Sequence, residues 1–296
     1  MSPSAKTSAD NPALRDYPSP GAEAGTPGER RAVIRLVDVY KSFGAVKVFS
    51  GLNLSVRERE SVVILGPSGT GKSVLLKHII GLMRPDSGAV YYGEERVDTC
   101  RERELEEIRR HVGFLFQGGA LFDSLSVYEN IAFPLREHTR LKERDIRDRV
   151  AGKLAMVGLD GTQRLMTGEL SGGMRKRVAL ARAIALDPQV MLYDEPTTGL
   201  DPIRADVINE LILKLNDELH VTSVVVTHDI NSAFKVADRL VMLWEGKVIM
   251  EGKADDFRHA ANDDVRRFIQ GRASAAELEG LRRPEPPPIP ESEETP

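Results

Sequence analysis

The stretch that most constrains this chain is Gly66-Pro67-Ser68-Gly69-Thr70-Gly71-Lys72-Ser73, set between the apolar run Val62-Val63-Ile64-Leu65 and a helix-like stretch over residues 74–80. The spacing G-x-x-x-x-G-K-[ST] between a strand and a helix predicts a phosphate loop. A phosphate chain is enclosed closely only by backbone N–H groups, so Gly66, Gly69 and Gly71 are expected to remove side chains from its path. The helix that follows directs its positive end at the anion. Lys72 supplies a cation for the outer phosphates, and the Ser73 hydroxyl suits magnesium. The bland alternative is a glycine-rich turn before an ordinary helix.

With 296 residues, 41% hydrophobic and 5% aromatic, the chain can bury a full core as one large α/β domain or two small ones. A net charge of -4 supplies no global positive field for nucleic acid. The single Cys100 excludes an internal disulfide and a zinc thiolate cluster. Residues 1–31, rich in Ser, Pro, Ala and Gly at their start, are expected to be a disordered leader rather than a secretory signal. No apolar stretch approaches the roughly 18 to 20 residues of a membrane span.

Residues 32–43 and 46–56 alternate as antiparallel strands ahead of the loop, and 89–92 add another. Mixed charge over 101–110 reads as a solvated helix face. A buried strand at 112–116 ends in Gln117, after which 118–134 reads as irregular up to Pro134. Ile146, Val150, Leu154 and Val157 recur at helical spacing before Gly158. A helical subdomain over about 118–186 is therefore expected inside an α/β core. Strands at 190–193 and 221–226 then alternate with helices at 203–219 and 230–237, predicting a parallel sheet covered on both faces. A hairpin turns at Glu245-Gly246-Lys247, which closes the main domain at 32–252. The extension 253–296 is expected to hold one helix at about 262–270 and a disordered acidic, proline-rich tail at 284–296.

Ligands of parallel sheets lie beyond the carboxyl ends of the strands. Four apolar runs end there: in the phosphate loop, in Gln117, in Asp194-Glu195 and in Thr227-His228-Asp229. Asp194 suits magnesium, directly or through water, and Glu195 is placed to polarise a water attacking a terminal phosphate. Leu170-Ser171-Gly172-Gly173-Met174 opens a second helix whose first turn is expected to carry Arg175, Lys176 and Arg177, the wrong charge for a helix start. An anion docked on Ser171 and the Gly172 and Gly173 amides offsets that cost. This is either another phosphate site or the same nucleotide approached by a second copy; the bland reading is a serine-capped helix with a solvated basic turn.

Together these parts resemble the nucleotide-binding subunit of ABC transporters over roughly residues 34–252. Thr198-Gly199-Leu200-Asp201 matches the family's D-loop, and Gln117 and His228 match its Q-loop and switch positions. The resemblance implies a RecA-like P-loop NTPase core, an antiparallel β subdomain and an inserted helical subdomain. It also implies ATP hydrolysis by a head-to-tail dimer, with ATP held between Lys72 and Ser73 of one copy and Ser171 and Gly173 of the other. By the same resemblance Phe43 stacks on adenine, Gln117 touches Mg²⁺ and relays to a membrane partner, and His228 contacts the terminal phosphate. Met174 departs from the family's usual Gln.

Leu115-Phe116-Gln117-Gly118-Gly119-Ala120-Leu121-Phe122-Asp123-Ser124-Leu125-Ser126-Val127-Tyr128-Glu129-Asn130, with its continuation to Glu137, is similar to the ATPases of Mla-type systems. That resemblance implies phospholipid traffic powered at the cytoplasmic face of the inner membrane, with an integral permease and a substrate-binding Mce protein as partners and no nucleic acid. Residues after Gly271 depart from it. The rival readings are a soluble ABC-type ATPase acting on DNA or ribosomes, and a P-loop GTPase or small-molecule kinase. The first lacks support from a long coiled-coil insertion or zinc-ligand cysteines, and the second leaves residues 170–174 and His228 without roles.

Overall fold

Every residue of Ser61–Leu65 (β3) is buried, and its neighbours explain why. The computed structural model describes residues 31–274 and residue 278; the expected leader, save residue 31, and the acidic tail at 284–296 lie outside them. Ahead of β3, Ala32–Phe43 (β1) and Val46–Arg57 (β2) pair antiparallel. After it come Lys72–Ile79 (α1), Ser87–Tyr92 (β4), Glu95–Arg96 (β5), Glu102–Arg110 (α2), Val112–Leu115 (β6), Val127–His138 (α3) and Glu143–Met156 (α4). The chain continues through Gly172–Ala183 (α5), Val190–Asp194 (β7), Pro202–Leu219 (α6), Thr222–Thr227 (β8) and Ile230–Val236 (α7). It closes with Arg239–Trp244 (β9), Lys247–Gly252 (β10), Ala254–Arg258 (α8) and Asp263–Gln270 (α9).

One sheet runs β2-β1-β4-β5, all antiparallel; the other runs β10-β9-β3-β8-β7-β6, parallel except for the β9–β10 hairpin at its edge. Successive residues of the parallel strands serve two cores. Val63, Leu65, Met191 and Tyr193 face α3 to α7, whereas Val62, Ile64, Val190 and Leu192 face α1, α2 and the antiparallel sheet. A strand buried on both faces must be apolar at every position, which is why these runs do not alternate. The expected α/β class with its antiparallel β and helical parts is the one observed.

Two expectations fail. Residues 118–134 are not irregular throughout, because α3 begins at Val127 and runs through Pro134. Proline inside a helix costs about 3 kcal/mol or more. Three features offset it. Ser126 and Glu129 form a reciprocal capping box. The fully buried Asn130 side chain receives Phe122 N–H at 2.8 Å and donates to the carbonyls of Phe122, Leu125 and Ser126. Val127, Ile131, Ala132 and Leu135 enter the core. The second failure is α5, which starts at Gly172 rather than at Arg175, so Arg175, Lys176 and Arg177 lie mostly beyond the first turn.

Candidate active site

Parallel pairing brings the polar strand ends together. Leu65 pairs with Thr227, Asp194 with Val226 and Leu115 with Tyr193, so the residues after β3, β6, β7 and β8 share one edge of the sheet. There Phe43, Ser68, Gly69, Gly71, Lys72, Ser73, Gln117, Glu195 and His228 line a cleft of about 370 Å³. Phe43 is 47% exposed, so it is not an ordinary core aromatic; Lys41 Nζ lies 5.4 Å from its ring centre.

Lys72 is 6% exposed and directs its ammonium at Gly66 O (2.8 Å), Pro67 O (2.9 Å) and Glu195 Oε1 (3.7 Å). Burial holds it below the usual lysine range, against the opposing pull of Glu195. The Ser73 hydroxyl donates to Asp194 Oδ1 at 2.7 Å. Burial pushes the Asp194 carboxyl up, with the Ser73 hydrogen bond opposing and the Glu195 charge adding to the rise. A carboxylate held above its range by burial is one that an adjacent cation returns to the charged form. The oxygens of Ser73, Asp194 and Gln117 are the hard donors that magnesium takes, so the residues present fit that ion. His228 Nδ1 lies 2.9 Å from Glu195 Oε2.

The glycines do not all serve a phosphate as expected. A Cβ on Gly66 lies 2.4 Å from Leu243 O, and one on Gly71 lies 2.4 Å from Val48 Cγ1. Both are glycine because the protein itself crowds them. Only Gly69, with φ of +83° and open space where a Cβ goes, leaves room beside the cleft. Gly71 precedes α1 in a left-handed conformation (φ +92°) and gives that helix no side-chain cap. The first N–H groups of α1 are thus left for an anion.

Ser171, Gly172 and Gly173 do not line this cleft. Ser171 is exposed and caps its own helix, accepting Met174 N–H at 3.3 Å. Of the three cations behind it Arg175 is exposed, Arg177 half-buried and Lys176 buried, and all three donate to carbonyls of the same chain. Arg175 donates to Leu170 O, Arg177 to Val157 O and Gly158 O, and the buried Lys176 to Gln117 O and Glu195 O. Gly172 and Gly173 instead neighbour the next turn of the same chain: added Cβ atoms lie 3.9 Å from Leu200 Cδ2 and 3.7 Å from Arg204 Cδ.

Sequence reasoning missed the hydroxyls around Glu195. Thr198 Oγ1 lies 3.2 Å and Thr227 Oγ1 3.3 Å from its Oε2. Thr227 heads the run Thr227-His228-Asp229, so the signal was present, but a threonine ending a strand has many bland explanations.

Residues 49–198 match the family model described as ABC transporter. The chain is 47% identical over 239 residues to the probable ribonucleotide transport ATP-binding protein mkl of Mycobacterium tuberculosis, covering 81% of this chain and 67% of that one. It is 45% identical over 226 residues to the intermembrane phospholipid transport system ATP-binding protein MlaF of Haemophilus influenzae, covering 76% of this chain and 86% of that one. Among solved structures, a dimeric ATP-binding cassette in a post-hydrolysis state bound to ADP and Pi matches with a TM-score of 0.69 at 37% identity, over 75% of this chain and 98% of that one.

Proposed function

This chain belongs to the ABC transporter ATP-binding family and is an ATPase subunit; we propose that it drives the movement of phospholipid between membranes. The observation that carries the mechanism is the division of polar groups. Lys72, Ser73, Glu195 and His228 line one cleft, with Asp194 bonded to Ser73 at its edge, while the Ser171 turn stands outside it. A head-to-tail pair of chains supplies each cleft with the other's Ser171, Gly172 and Gly173. ATP then lies with its base on Phe43 and its phosphates over residues 66–73, with Lys72 turned from the loop carbonyls to the outer phosphates. Ser73, Asp194 and Gln117 hold Mg²⁺, which when bound neutralises phosphate charge. Glu195 takes the proton of the attacking water, and His228 fixes the far side of that carboxylate and contacts the terminal phosphate.

The name of the Haemophilus influenzae relative and the Mla-like stretch at 115–137 support phospholipid as the cargo. That stretch runs from the end of β6 through most of α3, and its exposed Phe122 and Phe133 rings lie 5.0 Å apart beside a groove of about 550 Å³. Such an apolar edge suits a cytoplasmic helix of an integral permease, with an Mce-type lipid carrier completing the complex. Among the described residues no helix is long and apolar enough to cross a membrane; docking on such a permease places the chain peripherally at the cytoplasmic face of the inner membrane. The Mycobacterium tuberculosis relative's name makes ribonucleotide the rival cargo. Reconstitution of the full chain with its permease decides between them. ATP-dependent transfer of a fluorescent phospholipid between vesicles, lost in Glu195→Gln, is expected; ATP-dependent uptake of a labelled ribonucleotide without lipid transfer overturns the proposal.

A further inference from the structure

The polar partners of Glu195 are unevenly shared between its two carboxylate oxygens. The residue has a left-handed backbone (φ +48°), a conformation that costs a non-glycine residue on the order of 1–3 kcal/mol. Its N–H donates to Val226 O at 3.0 Å, which holds that strained backbone against β8. The side chain is only 10% exposed. Three groups converge on Oε2: His228 Nδ1 at 2.9 Å, Thr198 Oγ1 at 3.2 Å and Thr227 Oγ1 at 3.3 Å. Oε1 faces the cleft, with Lys72 Nζ at 3.7 Å.

The proton of the Thr227 hydroxyl has one destination. Thr227 is fully buried, and its oxygen already accepts Asp229 N–H at 3.0 Å, so its O–H points at the carboxylate. Asp229 is held in turn. It caps α7 and receives the Ser232 hydroxyl at 2.7 Å, and Ser232 accepts the buried Asn209 amide of α6 at 2.9 Å. Thr198 follows Thr197 in the turn leading to that same helix. The two hydroxyls thus reach Glu195 from the end of β8 and from the turn between β7 and α6.

A carboxylate offers about four lone-pair sites, and a general base must aim one at its water within a narrow geometry. We infer that Thr227 and Thr198 are positioning residues for hydrolysis: their hydroxyls occupy Glu195 Oε2 and fix the carboxylate plane, so that Oε1 alone is presented to the attacking water. This rests on the reading of Glu195 as the group that takes the water's proton. His228 is half exposed, whereas Thr227 is fully buried and Thr198 half-buried beside the carboxylate.

The test is hydrolysis by the full-length chain carrying Thr227→Val, Thr198→Val, both together, and the serine replacements. Valine keeps the shape and removes the donor; serine keeps the donor. The double valine variant is expected to lose about 10- to 100-fold in kcat, as for other misplacements of reacting groups, with KM for ATP changed less than about twofold. Each serine variant is expected to recover to within about threefold of wild type, a rescue that a purely structural role of the methyl group does not give. Thr198→Val, at a half-buried position, serves as the independent readout if Thr227→Val fails to fold. Wild-type kcat in the valine variants, a KM that rises in step with the loss, or no rescue by serine overturns the inference. If Glu195→Gln abolishes turnover in the same assay while the valine variants do not, this inference alone falls. If Glu195→Gln turns over at the wild-type rate, the base assignment falls and takes the inference with it.

Discussion

Two helix starts, one before α1 and one before α5, look alike in sequence and differ in what they leave open. α1 follows Gly71, α5 opens on Gly172 and Gly173, and both lack an acidic residue in the first turn. The α1 start is uncapped by any side chain, sits beside a buried lysine and borders the cleft. The α5 start is satisfied by its own serine and faces outward, and its nearby cations are bound to carbonyls of the same chain. In the proposed reading the first takes the anion directly, and the second becomes a site only against a second molecule.

The difference is broken most directly by complementation. Lys72→Ala and Gly173→Val are each expected to lower ATP hydrolysis by at least about 100-fold, the scale seen when a charge-stabilising donor is removed. Only the first should weaken nucleotide binding by the isolated chain, as read by fluorescent ATP analogue titration. Mixing the two inactive chains should restore about a quarter of wild-type hydrolysis, because half of randomly paired dimers carry one intact composite site. No recovery on mixing sinks the head-to-tail reading.

Folding stability sharpens the same contrast. Gly71→Ala puts a Cβ 2.4 Å from Val48 Cγ1 at φ +92°, so a loss of about 1–3 kcal/mol is expected in denaturant unfolding. Gly173→Ala meets nothing closer than 3.7 Å and is expected to leave the monomer unfolding midpoint unchanged while hydrolysis falls. Ser171→Ala removes the cap on Met174 N–H and should cost about 1 kcal/mol.

The smallest effect is on pH. Burial pushes His78 of α1 below the usual histidine range, and likewise His111, whereas α5 carries no histidine. Inside the fold His78 is neutral, edge-on to Phe49, with Nδ1 on Val74 O at 2.7 Å. Below the unfolded value of about 6.5 the unfolded chain binds more protons than the folded one. Stability is therefore full above that pH and falls as the pH drops through it. His78→Leu should reduce the fall of the urea midpoint just below pH 6.5, leaving the slope from His111 and, at lower pH, from carboxylates such as Glu60 that the fold holds below their usual range.

The sheet and the cleft were legible in the sequence because strands buried on two faces are apolar throughout and end abruptly in polar residues, as at Leu65, Leu115 and Tyr193. α3 was missed because Gly118-Gly119 and Pro134 signal a break, and the Ser126-x-x-Glu129 capping box that marks its start went unrecognised. Long-range bonds were beyond reach. Nothing local says that Lys176 crosses to Gln117 and Glu195, that Leu243 O crowds Gly66, or that Glu195 takes a left-handed backbone.

Lys176 has a mechanical consequence. Its buried ammonium donates to the carbonyls of Gln117 and Glu195 at once, at the ends of two neighbouring strands. Breaking a buried hydrogen bond to a charged group costs roughly 1.5–3 kcal/mol, so a shift at Gln117 drags α5 and the carboxylate backbone with it. Under the proposed docking of a membrane permease, Lys176 is the side chain that ties this strand end to the α5 start.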